Sequence, residues 1–154
     1  MDVWHTLSAE GDTPPALVVG GDTVVSMGAK ILEKPRDRAE AVEMLTELSG
    51  TTHTVWSGVA LVHLPSGGSK GPSVVVFAEK TEVTFADLPA ATIEAYVNTG
   101  EPMDKAGGYG IQAAGGQFVA GISGCFYNVM GFPMHKFAAN LARLVDAGFV
   151  VSEQ

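Results

Sequence analysis

The chain has 154 residues, 46% hydrophobic and 17% charged, the make-up of one folded domain with a sizeable core rather than of a disordered acidic tail. Seventeen acidic against nine basic residues give a net charge of −8. That argues against a broad nucleic-acid-binding surface but leaves room for a small anionic ligand held by a local cluster of cations. A single cysteine, Cys125, forbids an intramolecular disulfide, speaks against a thiolate zinc site and fits a reducing, cytoplasmic compartment. The first ten residues carry no Lys or Arg and no long apolar stretch, so neither a leader peptide nor a membrane span is expected.

In chain order, Met1 to Thr13 are weakly patterned, with Trp4 and Leu7 spaced as at a helix end. Ala16 to Val19 read as a buried strand ending at Gly20-Gly21. Val24 to Met27 continue in extended style toward a turn at Met27-Gly28. From Ala39, the apolar Val42, Leu45 and Leu48 recur every three residues, which predicts a helix stopped by Gly50. Thr51 to Leu64 and Ser73 to Phe85 are rich in β-branched residues and read as two strands of a long hairpin around a Pro/Gly/Ser loop. Asp87 is placed to cap a helix from Pro89, with Ile93, Tyr96 and Val97 on one face and Gly100 at its end. Gly100 to Gly116 hold six glycines in 17 residues and show no periodicity, which marks a functional loop. Gln117 to Ile122 read as a strand. Pro133 opens a last helix with an apolar stripe of Met134, Phe137, Ala138, Leu141, Leu144 and Val145. Alternating strands and helices predict an α/β or α+β domain without repeats or linkers.

Three places carry candidate chemistry. Gly20-Gly21-Asp22-Thr23 puts a carboxylate at the end of a strand, where open α/β sheets bind ligands and where Asp22 can hold a divalent cation or take a proton from water. The competing reading is a turn Asp bonded to its own backbone. Lys30, Lys34, Arg36 and Arg38 cluster four of nine cations within nine residues, suited to an oligophosphate near a helix amino end; the competing reading is a solvated helix start. In Gly100-Glu-Pro-Met-Asp-Lys-Ala-Gly-Gly-Tyr-Gly-Ile-Gln112, close glycines let amides approach phosphates, Lys105 adds charge, and the Gln112 amide can read a base edge. No Gly-Lys-Ser/Thr phosphate loop and no Gly-x-Ser-x-Gly elbow occur, the four histidines lack metal-ligand spacing and most read as ordinary surface or strand residues, and Cys125 reads as a packed residue.

These segments stand in a known order. Gly20 to Val25, Leu32 to Arg38, Leu48-Ser49-Gly50, Thr54 to Ala60, Val83 to Phe85, Ile93 to Gly100, Gly100 to Gln112 and Asn128 to Pro133 resemble the Maf family of nucleotide pyrophosphatases, from about Val18 to Val145. The sequence is especially similar to the Maf-like domain that in some animals is fused to a methyltransferase-like domain. The resemblance implies a mixed-sheet α/β fold of the Maf/ITPase-like kind with a substrate cleft, forming a homodimer. It implies hydrolysis of a nucleoside triphosphate to the monophosphate and pyrophosphate with a divalent metal, magnesium or manganese. Asp22 matches the proton acceptor placed near the metal, Lys34 and Lys105 match phosphate-contacting lysines, and Thr23 and Gln112 match positions tied to base selectivity. The pairing of Asp-Thr with Tyr-Gly-Ile-Gln resembles the dTTP/UTP branch rather than the 7-methyl-GTP branch.

Two departures from the family pattern are expected to matter. The opening strand and Ser-x-Ser-Pro-Arg-Arg-type motif are missing, so Asp2 to Thr13 resemble the tail of a family helix in a chain without its amino-terminal portion. Cys125 stands where the family usually has Asp. The alternative reading is a nucleotide-binding or interaction protein with impaired catalysis, or a truncated isoform.

Overall fold

The computed structural model describes residues 17–63 and 71–149. The weakly patterned start, with Trp4 and Leu7, and the tip of the expected hairpin lie outside them. Within them the chain is a mixed α/β structure built on a five-stranded sheet. Strands β1 (Leu17–Met27), β2 (Lys30–Leu32), β3 (Thr52–His63), β4 (Ser73–Phe85) and β5 (Val119–Ser123) are ordered β2-β1-β3-β4-β5. The β1/β2 and β4/β5 pairs are antiparallel, the first in the register Val25 opposite Leu32. The helices are α1 (Arg38–Leu48), α2 (Ala90–Asn98), α3 (Phe126–Val129) and α4 (Met134–Asp146).

The chain falls into two compact units: Asp22–Ser57 with Glu79–Pro133, and the described parts of Met1–Gly21, Gly58–Ala78 and Met134–Gln154. The hydrophobic core belongs to the first. Val25 and Leu32, the helix residues Ala41, Met44, Leu45 and Leu48, Val55, Val83 and Phe85 from the sheet, Ile93, Tyr96 and Val97 from α2, and Tyr109 and Phe118 form one buried cluster. Period two explains the strand share: His53, Val55, Ser57, Val59 and Leu61 of β3 are buried while Thr52, Trp56 and Gly58 face outward. Helix α1 begins where expected because Asp37 accepts a hydrogen bond from the Glu40 amide at 2.9 Å. The Glu40 carboxylate reaches back past the cap residue and receives the Arg36 amide at 2.6 Å and its guanidinium at 2.9 Å.

Several expectations change. Gly20-Gly21 do not end a strand: β1 runs through them to Met27, and its first half is half-buried or exposed rather than buried. Asp22 therefore stands within a strand, not at its carboxyl end. Asp87 does not cap α2; the cap position is Pro89, with no side-chain bond. Gly100 to Phe118 are not irregular but hold three short 3-10 turns, Glu101–Asp104, Ala106–Gly108 and Ala114–Phe118. The last of these takes Gln117 out of the expected strand.

In the second unit, Val59, Leu61, Leu144 and Phe149 are buried. The α4 stripe lies on that helix as predicted, yet only Leu144 is buried, with Met134 and Val145 each 52% exposed.

Because the Asp37 cap satisfies an amide that α1 itself cannot, Asp37→Ala is expected to cost about 1 kcal/mol. Urea unfolding would register this as a lower midpoint with an unchanged slope.

Candidate active site

Asp22 is exposed on β1, and its Oδ1 accepts the Thr23 amide at 2.9 Å. The carboxylate is bonded to the neighbouring backbone, and the residue also lines a cavity of about 310 Å³. Asp22, Thr23, Val24, Leu32, Glu33, Lys34 and Ala106 line this cavity. The antiparallel β1/β2 pair produces this convergence. A two-residue turn at Gly28 and Ala29 folds the chain back, so the residues following Leu32 return beside those preceding Val25.

Three of the four clustered cations sort into different roles. Lys30 is paired with Glu47 at 2.7 Å and Arg36 with Glu40 at 2.9 Å. Those two are surface pairs, and Arg36, which would oppose the helix dipole alone, is held by an acid in the first turn. Lys34 enters no ion pair among those found between described residues. It stands three residues ahead of the α1 cap and lines the Asp22 cavity.

The glycine-rich segment is fixed from outside itself. The Gly107 amide donates to the Glu33 carbonyl at 3.1 Å, which ties the segment to the cavity wall. Gly107 has φ +70°, and a Cβ there would stand 3.0 Å from three atoms of Val25, so only glycine lets the chain press this closely on β1. The Glu101 carboxylate accepts Tyr96 Oη–H at 2.9 Å, the Ala114 amide at 3.2 Å and the Gly115 amide at 3.1 Å. Tyr96 Oη also receives the Gly110 amide at 3.3 Å. Burial, together with the Glu101 bond, pushes the Tyr96 hydroxyl well above its ordinary range.

Lys105 and Gln112 come together on this segment. Lys105 Cε, Glu101 Oε1 and Gln112 Oε1 lie 3.3, 3.6 and 3.8 Å from the point a Cβ on Gly110 would occupy. Lys105 bonds Asp104 at 2.6 Å, which holds that carboxyl below the usual carboxylate range, and the charge of Lys34 acts in the same direction. Neither Lys105 nor Gln112 lines the Asp22 cavity, although Ala106, next to Lys105, does.

Sequence reasoning missed several supporting residues. Glu33 lies in the Leu-Glu-Lys-Pro run but was read only for its lysine. His53 is not an ordinary strand histidine: it is 2% exposed, and its Nε2 is 2.8 Å from Tyr109 Oη. Its ring packs edge-on against Phe85 at 4.9 Å and Tyr109 at 5.4 Å. Its position on the inward period of β3 was the available signal. Burial pushes its pKa down to about 4, because a protonated ring would place charge in the core, where Nδ1 has no partner to share it. Cys125 makes its contacts through the backbone. Its amide donates to Thr81 Oγ1 at 3.1 Å, and its carbonyl accepts from the same hydroxyl at 3.2 Å.

Among the described residues no group of three or more His, Cys, Asp or Glu could enclose a metal ion. The carboxylates at the cavity are Asp22 and Glu33, hard oxygen donors. Magnesium is commonly held by one or two carboxylates together with substrate phosphates and water, so this donor set fits such an ion better than zinc.

Comparison with known sequences covers most of the chain. The family model described as Maf-like protein matches residues 2–144. A protein of Clostridium perfringens named dTTP/UTP pyrophosphatase is 49% identical over 122 residues, 79% of this chain and 61% of that protein. One of Clostridium botulinum with the same name is 46% identical over 128 residues, 83% of this chain and 63% of that protein. A human protein named probable bifunctional dTTP/UTP pyrophosphatase/methyltransferase protein is 48% identical over 145 residues, 94% of this chain and 23% of that protein. The chain thus spans less than two thirds of the length of these relatives.

The neutral state of His53 has a thermodynamic signature. Its pKa is about 4 folded against 6.5 for an ordinary histidine. Its contribution is complete above pH 6.5 and is lost as the pH falls from there to 4, because only the unfolded chain gains a proton in that window. Between pH 7 and pH 4 the wild-type protein is expected to lose about 3 kcal/mol more than His53→Phe. Urea unfolding at the two pH values checks this, and equal losses would contradict it.

Proposed function

This chain belongs to the Maf-like protein family, and we propose that it hydrolyses dTTP or UTP to the nucleoside monophosphate and pyrophosphate. The names of its relatives support the reaction. The observation that carries it on this chain is the meeting of Asp22, Glu33 and Lys34 around one cavity, with the glycine-rich segment bonded to the wall of that cavity through Gly107.

Attack of water at the α-phosphorus needs a proton acceptor and charge to offset the departing pyrophosphate. Asp22 Oδ1 is oriented by the Thr23 amide, which leaves the second carboxylate oxygen to take the proton from water. Lys34 and Lys105 provide point charges for the phosphate oxygens, with Asp104 as the counterion that Lys105 gives up when phosphate binds. Gln112, exposed at the end of the segment, offers one donor and one acceptor to the base edge. Asp22 and Glu33 would hold a magnesium or manganese ion, which when bound supplies charge against the phosphate oxygens and acidifies water.

The reading includes a homodimer and a cytoplasmic location. The location draws support from the single free cysteine. No helix among the described residues is long and apolar enough to cross a membrane.

Pyrophosphate release by the purified chain, with dTTP, UTP, CTP and 7-methyl-GTP and with magnesium or manganese, tests the proposal. Turnover is expected to be fastest on dTTP and UTP. It should fall roughly 10²- to 10⁴-fold in Asp22→Asn, the range for loss of a general base. A folded chain without turnover under any of these conditions, or undiminished turnover in Asp22→Asn, refutes it. Lys34→Ala is expected to lower kcat/KM by at least about tenfold, as loss of a preorganised charge does.

A further inference from the structure

The glycine-rich segment passes the core as Gly107-Gly108-Tyr109-Gly110, and only Tyr109 in this run has a side chain to anchor it. Gly107 and Gly108 turn the chain with φ +70° and +73°. Tyr109 then stands extended, with φ −149° and ψ 153°, and its ring is part of the buried cluster. Lys105 precedes this run and Gln112 follows it. The two meet beside Gly110, directly after Tyr109: Lys105 Cε and Gln112 Oε1 lie 3.3 and 3.8 Å from the point its Cβ would occupy. A shift of the Tyr109 ring therefore moves the backbone that carries both.

A buried hydroxyl needs a partner, and the Tyr109 hydroxyl has His53, whose Nε2 lies 2.8 Å from its Oη. Burial holds both groups neutral, with the histidine pKa brought down to about 4 and that of the phenol raised. Phe85 closes the arrangement, edge-on to His53 at 4.9 Å and to Tyr109 at 4.7 Å. The ring contacts set the tilt of Tyr109, and the hydrogen bond sets how far the ring enters. Packing alone does not call for an imidazole at this place. Its Nδ1 is buried without a partner, a polar cost that an apolar ring of similar size avoids. What the imidazole adds to the core is the bond to Tyr109.

We propose that His53 is a positioning residue for the glycine-rich segment. Through the Tyr109 hydroxyl it sets the depth at which the segment lies on the sheet, and with it the places of Lys105 and Gln112. The inference rests on the hydrolase reading above and deepens it, for it makes nucleotide preference depend on a core residue that does not line the Asp22 cavity.

The test uses His53→Phe, Tyr109→Phe, their double variant, Gln112→Ala and His53→Phe/Gln112→Ala. Michaelis parameters are measured on dTTP, UTP and CTP, and amide hydrogen exchange is followed over residues 105–112 and over helix α1. His53→Phe keeps a ring beside Phe85 but strands the Tyr109 hydroxyl. It is expected to lower kcat/KM on dTTP and UTP roughly 10- to 100-fold, the scale of a small misplacement of binding groups. CTP should lose less, so the preference narrows. Tyr109→Phe is expected to act in the same direction, and the double variant to be no worse than the poorer single one. Added to Gln112→Ala, His53→Phe should narrow the preference no further. Exchange over residues 105–112 should quicken at least about tenfold more than exchange over α1. An unchanged preference in His53→Phe, an additive effect on top of Gln112→Ala, or exchange that rises equally in the segment and in α1 overturns the proposal and leaves His53 as core packing alone. If the wild-type chain hydrolyses nothing, the hydrolase reading fails by itself, and the exchange comparison decides the positioning role.

Discussion

A glycine-rich segment has little conformational preference of its own, so whatever satisfies its amides decides its shape. Here that task falls on Glu101. One carboxylate gathers the Tyr96 hydroxyl and two amides from Ala114 and Gly115, and Tyr96 passes the constraint on to Gly110. The Glu33 carbonyl holds Gly107 from the other side. Lys105 and Gln112 depend on these bonds for their placement, because neither residue has a helix or strand beneath it.

The aromatic core is the wall against which this segment is set. Tyr109 contacts Phe85 at 4.7 Å, Phe85 contacts Phe118 at 5.9 Å, and Phe118 contacts Tyr96 at 4.8 Å. Edge-to-face rings of this kind add directional preference to plain burial. The core thus meets the segment through Tyr96 and Tyr109, which stand on either side of Lys105 in the chain. Stability and site geometry are here the same set of contacts, viewed from the two sides of the segment.

Much of this was legible in the residues, and the illegible part has physical causes. Helix α1 was readable because its apolar spacing, its polar start and Gly50 all agreed. Asp22 and Lys34 stood out by charge and neighbours, and the structure places both at one cavity. The run of β1 through Gly20-Gly21 was not, because glycine weakens a strand without ending it when neighbouring strands supply the bonds. The 3-10 turns of the glycine segment lack periodicity, and their determinants, Glu101 and Tyr96, act across up to 14 positions. The role of His53 and the Thr23–Ser57 contact span 56 and 34 positions, and no local pattern reports pairs so far apart. The α4 stripe was legible, but a stripe says which side of a helix is apolar, not whether anything covers it.

The bend at Gly124 separates what a lineage can change from what it must keep. Glycine, Thr81 and two main-chain groups of residue 125 define it, and a side chain at 125 enters none of these bonds. Substitution there is silent to the bend, so the turn after it does not depend on which side chain stands at 125. Sequence drift should accumulate at such backbone-served positions and stall at Thr81, whose single hydroxyl answers to those two groups and to the Asn128 side chain at once.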